Sequence, residues 1–471
     1  MKQTIKQGSP LQNSIKIIIA SRTPLMVALK RILIIGTCIL GLLSLVFSMQ
    51  SLLPENIFRK DFIQEYLLAK AVLNGIDPYM SLPELADRLI GPLPNLVLQH
   101  PTPHPPPVML LSLPLGWLTY KQAAIVWFAF ELVCILVSIY GLLHWLGIRH
   151  NLKLALICSL MVLAWLPLRE ELIFGQLMTL NLALLIGSWQ MLRAGKDFHG
   201  GILLGCAIAF KLIAWPMVIL LVMRKKWRAI GAVGAVLVSA NGLIAVLVGP
   251  QTVADYYLKV GPLVSTLYRS YIWNFSSWTI GWKVFVGTSS PFLIGVNALP
   301  LVDAPSLACY SALILPVILL AAGVFLAIRA STFDASFGIM TCVILLVAPI
   351  TWNHCLILAL IPMAIVLRRL FAVHLPEKET NVAILLLLLF CIPPSSLNYL
   401  MLMFADQSLI GVGSPTVPFS VTLISLIPAA AILGLMLLLR RVDKIPSCSC
   451  EQEPAGWPGN ENIPIGDHVK T

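Results

Sequence analysis

The chain has 471 residues, of which 58% are hydrophobic and only 11% are charged, and its formal net charge is +11. An ordinary soluble domain carries about 25% charged residues, so this composition has too little polar surface to cover a soluble fold. The composition also excludes a secreted disulfide scaffold. A nucleic-acid-binding domain is excluded as well, because the basic residues lie in short clusters between apolar runs. Such clusters are typical of the cytoplasmic loops of a polytopic membrane protein.

The predicted membrane segments follow one another along most of the chain. Residues 1–23 are polar and basic, and the apolar run at about 24–53 predicts a first transmembrane helix that starts in the cytoplasm. Further apolar segments bring the total to about twelve; they lie at about 106–119, 121–147, 153–168, 171–192, 200–223, 228–248, 306–329, 334–351, 354–369, 381–401 and 417–440. Those at 106–119, 153–168 and 354–369 are shorter than the roughly 20 residues of a full span, which predicts tilted, broken or half-inserted helices.

Basic clusters predict the orientation and hence the domain organisation. Arginine-rich loops are expected to be cytoplasmic; they are Arg224–Arg228, Arg368–Arg369 and Arg440–Arg441. A cytoplasmic segment at 1–23 therefore precedes an integral membrane domain at 24–440. The large first loop at 54–107, the loop at 249–305 and the edge Trp352–His354 are expected outside. The tail at 441–471 is expected to be cytoplasmic, and its polar, Pro- and Gly-rich composition predicts disorder.

Asp61 is the first candidate for chemistry, because it follows the first helix closely and is expected at the outer membrane surface. Ionisable residues within a membrane or at its edge are candidates for function by default. Apolar residues recur at helical spacing from Phe62 to Leu73, which predicts a helix lying along the interface. The alternative is that Asp61 only caps this helix in a solvated loop.

A proline-rich stretch, His100–Pro107, leads into the next apolar segment. Its prolines fix an extended and stiff path for the chain. This path does not bring His100 and His104 together as a helix would, so no metal site is assigned. A rigid turn is the simple alternative.

Lys211 lies about mid-segment in an otherwise apolar helix at 200–223. A buried ammonium needs an anion, and a lipid phosphate would serve; snorkelling toward the membrane surface is the alternative. Gln176 and Asn181 stand on another apolar segment, where such amides more often hydrogen-bond between helices than bind a substrate.

Two candidates lie on the external side. Asn274 begins an Asn-Phe-Ser sequon, which matters as a glycosylation site only in a eukaryotic secretory context. His354 follows Trp352 and Asn353 at the same membrane level as Asp61, and this setting favours a function. The alternative is that His354 is a buried core histidine.

In this order the motifs resemble those of glycosyltransferase family 87, polytopic GT-C enzymes that use polyprenyl-phosphate sugars and whose best-known members are α-mannosyltransferases. The resemblance spans roughly 24–370. It rests on Asp61-Phe62, Tyr66, Ala71, Leu73, Gly75 and Pro78-Tyr79; His104-Pro105-Pro106-Pro107 and Pro114-Leu115; Gly175-Gln176 and Asn181; Gly205, Ala209, Lys211 and Pro216; Asn274 and Ser276; and Ala348 to Cys355. His104 replaces the Tyr of the family's Tyr-Pro-Pro, and Cys355 replaces the second His of its His-His pair. Both changes bear on the acceptor or donor preference.

The resemblance implies an all-α, GT-C-like membrane glycosyltransferase of the inner (plasma) membrane, with its active site on the external or periplasmic face. It would move a sugar, with mannose favoured, from a polyprenyl-phosphate donor to a lipid or glycan acceptor by an inverting single displacement. Asp61 would be the base and His354 a second catalytic residue. The implied substrate-binding residues are Lys211, Tyr66, Tyr79, His104, Gln176, Asn274 and Trp352. No cofactor, metal or nucleic acid is implied; the lipid bilayer is the remaining partner.

A transporter or lipid flippase is the alternative function. Such a protein is expected to show paired broken helices in two halves, with its charges at mid-membrane. This chain has no evident internal repeat, and it concentrates acidic residues in the one large loop after the first helix. The pattern therefore favours the enzyme.

Overall fold

The computed structural model describes residues 24–92, 99–148, 151–290, 293–373, 377–390, 394–405 and 415–445. The segment 1–23 and most of the tail at 441–471 lie outside these ranges, so the predictions made for them stay predictions. The described chain is predominantly helical, as its composition predicts.

The α-helices follow one another in chain order and are joined by short 3-10 helices. They are α1 (Pro24–Met49), α2 (Ile63–Leu73), α3 (Leu82–Leu89), α4 (Val108–Ser112), α5 (Tyr120–Trp145), α6 (Leu152–Leu163), α7 (Leu166–Phe174), α8 (Met178–Arg193), α9 (Asp197–Phe210), α10 (Met217–Met223), α11 (Trp227–Val248), α12 (Pro250–Asp255), α13 (Gly261–Leu267), α14 (Ser277–Phe285), α15 (Pro305–Ile328), α16 (Phe333–Val347), α17 (Leu360–Val373), α18 (Glu377–Leu389), α19 (Pro394–Phe404), α20 (Phe419–Ser425) and α21 (Ile427–Asp443). The 3-10 helices are Gln50–Leu52, Ile57–Arg59, Leu113–Trp117, Leu212–Ala214 and Asn353–Ala359, and Tyr256–Val260 is a π-helix.

A small sheet interrupts the helical pattern, which the all-α prediction did not include. Strand β1 (Thr288–Ser290) pairs antiparallel with β2 (Leu293–Ala298), and β2 pairs parallel with β3 (Thr416–Val417). The pairing of Asn297 with Thr416 joins the loop at 249–305 to the chain just before α20. These short strands satisfy backbone groups where the chain is not helical.

Among the described residues, five helices are long and apolar enough to cross a membrane: Arg31–Leu52, Tyr120–Trp145, Trp227–Val248, Pro305–Ile328 and Phe419–Asp443. The pair α6 and α7 is bent by 68° and adds a sixth candidate if it forms one broken span. The chain is thus a helical, multi-pass membrane protein, whereas the predicted count of about twelve spans is not confirmed.

Several predicted segments divide into shorter helices. The segment at 200–223 breaks at Lys211, and the segment at 153–168 breaks between α6 and α7, as its length predicted. Irregular backbone is tolerated at membrane depth only where protein surrounds it or where it lines a wet cavity, because its polar groups need partners. The break at Lys211 is of this kind, because its side chain hydrogen-bonds to Gln176 within the protein.

Two hydrophobic cores meet near the end of the first helix. One core fills the helical bundle around α8, α16 and α21, and the other packs the first loop against α5. Trp352 is partly buried against both cores. The candidate site lies where these two cores meet.

The predicted helix after Asp61 exists as α2. Its residues from Ile63 to Ala69 are all buried, including the polar side chains of Gln64 and Glu65. A helix on a membrane surface would keep such a polar face in water. Its interfacial placement therefore stays a prediction, and its visible role is to pack the first loop against α5.

We expect a cysteine at the exposed position Asp87 in α3 to react with an impermeant thiol reagent added to intact cells, because the first loop is predicted outside. The matched control is Lys444→Cys, at an exposed position after α21 that is predicted to be cytoplasmic. It should react only after the membrane is breached. The reverse order of labelling would overturn the topology.

Candidate active site

The C-terminal end of α7 forms the floor of the site. The last carbonyl groups of a helix have no partner within it and must find donors elsewhere. Here the donors come from the residues on either side of Asp61 and from α5. Lys60 Nζ donates to the carbonyls of Leu172 and Ile173 at 2.8 Å each, the Phe62 amide donates to Phe174 at 3.1 Å, and Trp127 Nε1 donates to Gly175 at 2.9 Å. The segment that carries Asp61 is thereby docked on the end of α7.

A glycine allows this close approach. Gly175 follows α7 with a φ of 72°, the left-handed conformation that commonly ends a helix. A Cβ atom there would lie 3.0 Å from Cε of Lys60 and 3.0 Å from Cβ of Phe62. The turn from α7 to α8 is closed by Glu171, which accepts hydrogen bonds from the amides of Met178 and Thr179 at 2.5 and 2.9 Å.

Gln176 stands on this turn and joins two charged groups. Its Nε2 donates to Oδ2 of Asp61 at 2.8 Å, and its Oε1 accepts from Nζ of Lys211 at 3.3 Å. The lysine thereby fixes which end of the amide faces the carboxylate. Asp61, Gln176 and Lys211, which are far apart in the sequence, form one hydrogen-bonded chain. The carboxylate of Asp61 takes a side-chain hydrogen bond from Gln176, which argues against a simple capping role.

The sequence predicted that Lys211 lies within a helix, but the structure places it outside one. It occupies the break between α9 and the 3-10 helix Leu212–Ala214, with an extended backbone at φ −150° and ψ 110°. The break directs its side chain to Gln176 inside the protein. This hydrogen bond gives the ammonium a partner within the protein, which argues against the snorkelling alternative.

Asp61 is half-buried, and its surroundings change its acidity. Loss of hydration raises the pKa of Asp61 to about 6, although the hydrogen bond from Gln176 and the charges of Lys211 and Lys60 act in the opposite direction. A carboxylate with this pKa is mostly ionised at neutral pH and is a stronger base than an ordinary aspartate. Such tuning is common among catalytic acids and bases.

Glu65 and His104 form a buried pair beside Asp61. Oε1 of Glu65 lies 3.0 Å from Nε2 of His104, and the two side chains are 0% and 3% exposed. Burial raises the pKa of Glu65 well above its ordinary value and lowers the pKa of His104 to about 3, and the charge of Lys211 adds to the effect on His104. Burial thus disfavours the charged form of both groups, whereas Asp61 is only half-buried.

His354 lies on the opposite side of the site. It belongs to the 3-10 helix Asn353–Ala359, which packs against α7 and α8. Its ring is 6.4 Å from the ring of Phe174, centroid to centroid, and it lies within electrostatic range of Lys211. Its Nε2 is buried and has no hydrogen-bond partner within the described ranges. An orphaned nitrogen of this kind is available to a substrate or a water molecule.

Aromatic rings form the wall next to His354. The half-buried Trp352 meets Tyr268 edge-on at 5.2 Å and Tyr271 at 6.3 Å between ring centroids. The hydroxyl of Tyr268 hydrogen-bonds to Nε2 of His100, so the proline-rich stretch anchors this wall. The stretch is thus a structural tie as well as a stiff connection.

The remaining predicted residues form internal contacts. The hydroxyl of Tyr66 donates to the carbonyl of Leu118 at 2.8 Å, and that of Tyr79 donates to the carbonyl of His104 at 3.0 Å. Tyr79 therefore holds the backbone of the residue that faces Glu65. Direct substrate contacts of Tyr66 and Tyr79 stay predictions.

Asn274 is fully buried and ties the loop at 249–305 to the chain before Trp352. Its amide nitrogen donates to the carbonyls of Tyr268 and Pro349, and its oxygen accepts from the amides of Ser276 and Thr351. All four bonds go to backbone groups. The observed role of Asn274 is to place the aromatic wall, and its contact with substrate stays a prediction.

The sequence reasoning missed how many charges are buried here. Glu131 in α5 is 0% exposed, and neither of its carboxyl oxygens has a partner in the described part of the chain. A single Glu in a long apolar helix is a signal that could have found it. Nothing in the sequence placed Lys60 on the end of α7, because its carbonyl partners are distant in the chain. Glu171 instead accepts from amides seven and eight residues later. Within the described residues, no group of three or more His, Cys, Asp or Glu side chains could hold a metal.

The fold and site define a helical membrane protein in which the carboxylate of Asp61 and the ammonium of Lys211 both hydrogen-bond to the side-chain amide of Gln176. Residues 103–351, more than half of the chain, match the family model of glycosyltransferase family 87, and the chain belongs to that family. Membership points to a glycosyltransferase, which favours the enzyme over a transporter or flippase. The matched range includes His104, Gln176, Lys211 and Asn274 and leaves out Asp61, Trp352 and His354. No curated protein and no solved structure matches the chain.

We expect Gly175→Ala to destabilise the protein more than Gly195→Ala. Both glycines have a positive φ, of 72° and 73°, but a Cβ at Gly195 would meet no atom within 4 Å. The control therefore carries only the backbone cost of about 1–2 kcal/mol, whereas Gly175→Ala adds an overpacking cost of about 1–3 kcal/mol. Thermal unfolding of the two purified variants measures the difference. Equal loss of stability would show that the docked segment yields without cost.

Proposed function

We propose that this glycosyltransferase moves a sugar, with mannose favoured, from a polyprenyl-phosphate donor to a lipid or glycan acceptor at the external face of the membrane. The observation that carries the proposal is the hydrogen-bonded chain of Asp61, Gln176 and Lys211. It sets a proton acceptor and a cation on the two ends of one amide. Transfer from a lipid phosphate needs both groups close together.

The chemistry is a single displacement. Asp61 takes the proton of an acceptor hydroxyl, and the hydroxyl oxygen attacks the anomeric carbon of the donor sugar. The bond between that carbon and the phosphate oxygen breaks as the new bond forms, and the lipid phosphate leaves with the bonding electrons. Attack from the opposite side inverts the anomeric configuration. Lys211 stabilises the charge that grows on the phosphate.

Accessibility favours Asp61 over its neighbours as the base. Asp61 is half-buried, whereas Glu65 is fully buried against His104, and Glu171 is occupied with the amides that start α8. A general base must come within hydrogen-bond distance of the hydroxyl that it deprotonates. Of these three carboxyl groups, Asp61 best meets this condition.

His354 and Trp352 complete the proposed site from the other side. The unpartnered Nε2 of His354 would bind the donor phosphate or the acceptor hydroxyl. The half-buried ring of Trp352 offers an apolar face to a sugar ring. Four further residues would act indirectly, by positioning the parts of the site that contact the substrate; they are Tyr66, Tyr79, His104 and Asn274.

Asp61→Asn is expected to lower the rate of sugar transfer by about 10²–10⁴-fold. The amide keeps the shape of the side chain but cannot accept the proton. Transfer of a labelled sugar by purified protein measures the rate, and an unchanged melting profile is the control for folding. Near-normal turnover by a folded Asp61→Asn protein would exclude Asp61 as the base and direct attention to His354.

In the wild type, kcat/KM should fall as pH drops through about 6, because protonated Asp61 cannot act as a base.

Lys211→Met is expected to raise KM for the donor about 10-fold or more, because a charge-assisted bond to the phosphate is lost. Lys225→Met, which removes an exposed lysine just after the same predicted segment, is the matched control. Steady-state kinetics with varied donor measure both variants. Unchanged KM and kcat in Lys211→Met would contradict the phosphate role.

A further inference from the structure

Lys60 is a buried lysine whose three donors are all used. Its side chain is among the largest that are fully buried, with 1% exposure. Nζ donates to the carbonyls of Leu172 and Ile173 at 2.8 Å and to Oγ of Ser51 at 2.9 Å. An ammonium has three N–H groups, so none remains for a substrate. Lys60 therefore does not bind the donor or acceptor.

Burial disfavours the charge of Lys60, and several neighbouring groups offset part of this cost. The negative end of a helix dipole attracts a cation, and Lys60 sits on the C-terminal carbonyls of α7. The ring of Phe128 lies 5.7 Å from Nζ, and Glu131 lies within electrostatic range. Burial lowers the pKa of Lys60 to about 8, against the opposing charges of Glu131, Asp61 and Glu171. The side chain is therefore mostly cationic at neutral pH.

The contacts of Lys60 join three elements that meet at the site. Ser51 belongs to the 3-10 helix that continues α1, and the two carbonyls belong to α7. The next residue but one, Phe62, donates its amide to the next carbonyl of α7. Asp61 lies between these two attachment points, and its carboxylate meets Gln176 just beyond the same helix end.

We propose that Lys60 is a positioning residue, which holds Asp61 against Gln176 by binding the C-terminal carbonyls of α7. The proposal rests on the proposed function of Asp61. Without the ammonium, the two carbonyls lose their donor and one end of the segment is released. A misplacement of about 1 Å at a reacting group can cost about 10²-fold in rate.

Steady-state kinetics of Lys60→Met test the alignment. We expect kcat to fall about 10²-fold, while KM for the donor changes little. Arg59→Met is the matched control, since it removes an equal charge from the adjacent residue, whose side chain is exposed. It should leave kcat unchanged. A loss confined to KM, or an equal loss in both variants, would overturn the proposal.

The pH profile separates positioning from simple loss of structure. Lys60→Met removes a cation that favours ionised Asp61, so the acid limb should move to higher pH, whereas Lys60→Arg should leave it in place. The other ionisable groups near Asp61 stay unchanged in both variants; they are Glu65, Glu171, Lys211, Tyr120 and Tyr268. An unmoved acid limb in an active Lys60→Met protein would show that the ammonium does not act on Asp61 and would count against the proposal.

A labelling experiment tests the docking without reference to activity. Asp61→Cys is introduced alone, with Lys60→Met and with Arg59→Met, and its reaction with an impermeant thiol reagent is timed against the chain without it. Local opening of a buried contact raises reactivity, so we expect about a 10-fold faster reaction with Lys60→Met only. Equal rates in all three would refute the proposal even if the protein transfers no sugar. If Lys60→Met does not fold, Ser51→Ala, which removes one acceptor, should raise the labelling rate in the same direction; no rise would refute the proposal.

Discussion

A helix that ends inside a protein must find partners for its last carbonyl groups, and the site depends on how α7 meets this need. The donors are the ammonium of Lys60, the amide of Phe62 and the indole of Trp127. Two of these flank Asp61, so the bonds that complete the helix also set the position of the carboxylate. Gly175 permits the approach because it carries no side chain. The same hydrogen bonds therefore satisfy the end of α7 and fix the geometry of the site.

Burial gives the clustered carboxyl groups different roles. Burial with His104 raises the pKa of Glu65 well above its ordinary value, whereas the half-buried Asp61 lies near the charges of Lys211 and Lys60. Two adjacent carboxylates would repel each other if both were ionised. The raised pKa of the inner group reduces this repulsion and favours an ionised Asp61 at the accessible position. This division of roles follows from position and solvation alone.

Broken helices give the bundle its polar interior. The break at Lys211 turns a lysine from a membrane segment toward Gln176, and the turn at Gly175 brings that glutamine to Asp61. A continuous helix through either point would carry these side chains along its own axis with no fixed meeting place. The break at Lys211 also divides one of the predicted apolar segments into shorter helices. The interrupted segments therefore contribute side chains to the site.

The sequence by itself determined the membrane class and the family motifs, and it proposed Asp61, Gln176 and Lys211 as site residues, because composition and charges within apolar runs are local properties. It also predicted α2, and a break was one of the three alternatives that it left open for 153–168. It did not determine that Lys60 binds the end of α7, that Glu65 faces His104, or that a small sheet joins residues 288–298 to Thr416–Val417. These contacts join residues far apart in the chain, often through backbone groups that carry no sequence signal. Only the tertiary structure decides them, since burial and pairing arise when the segments pack together.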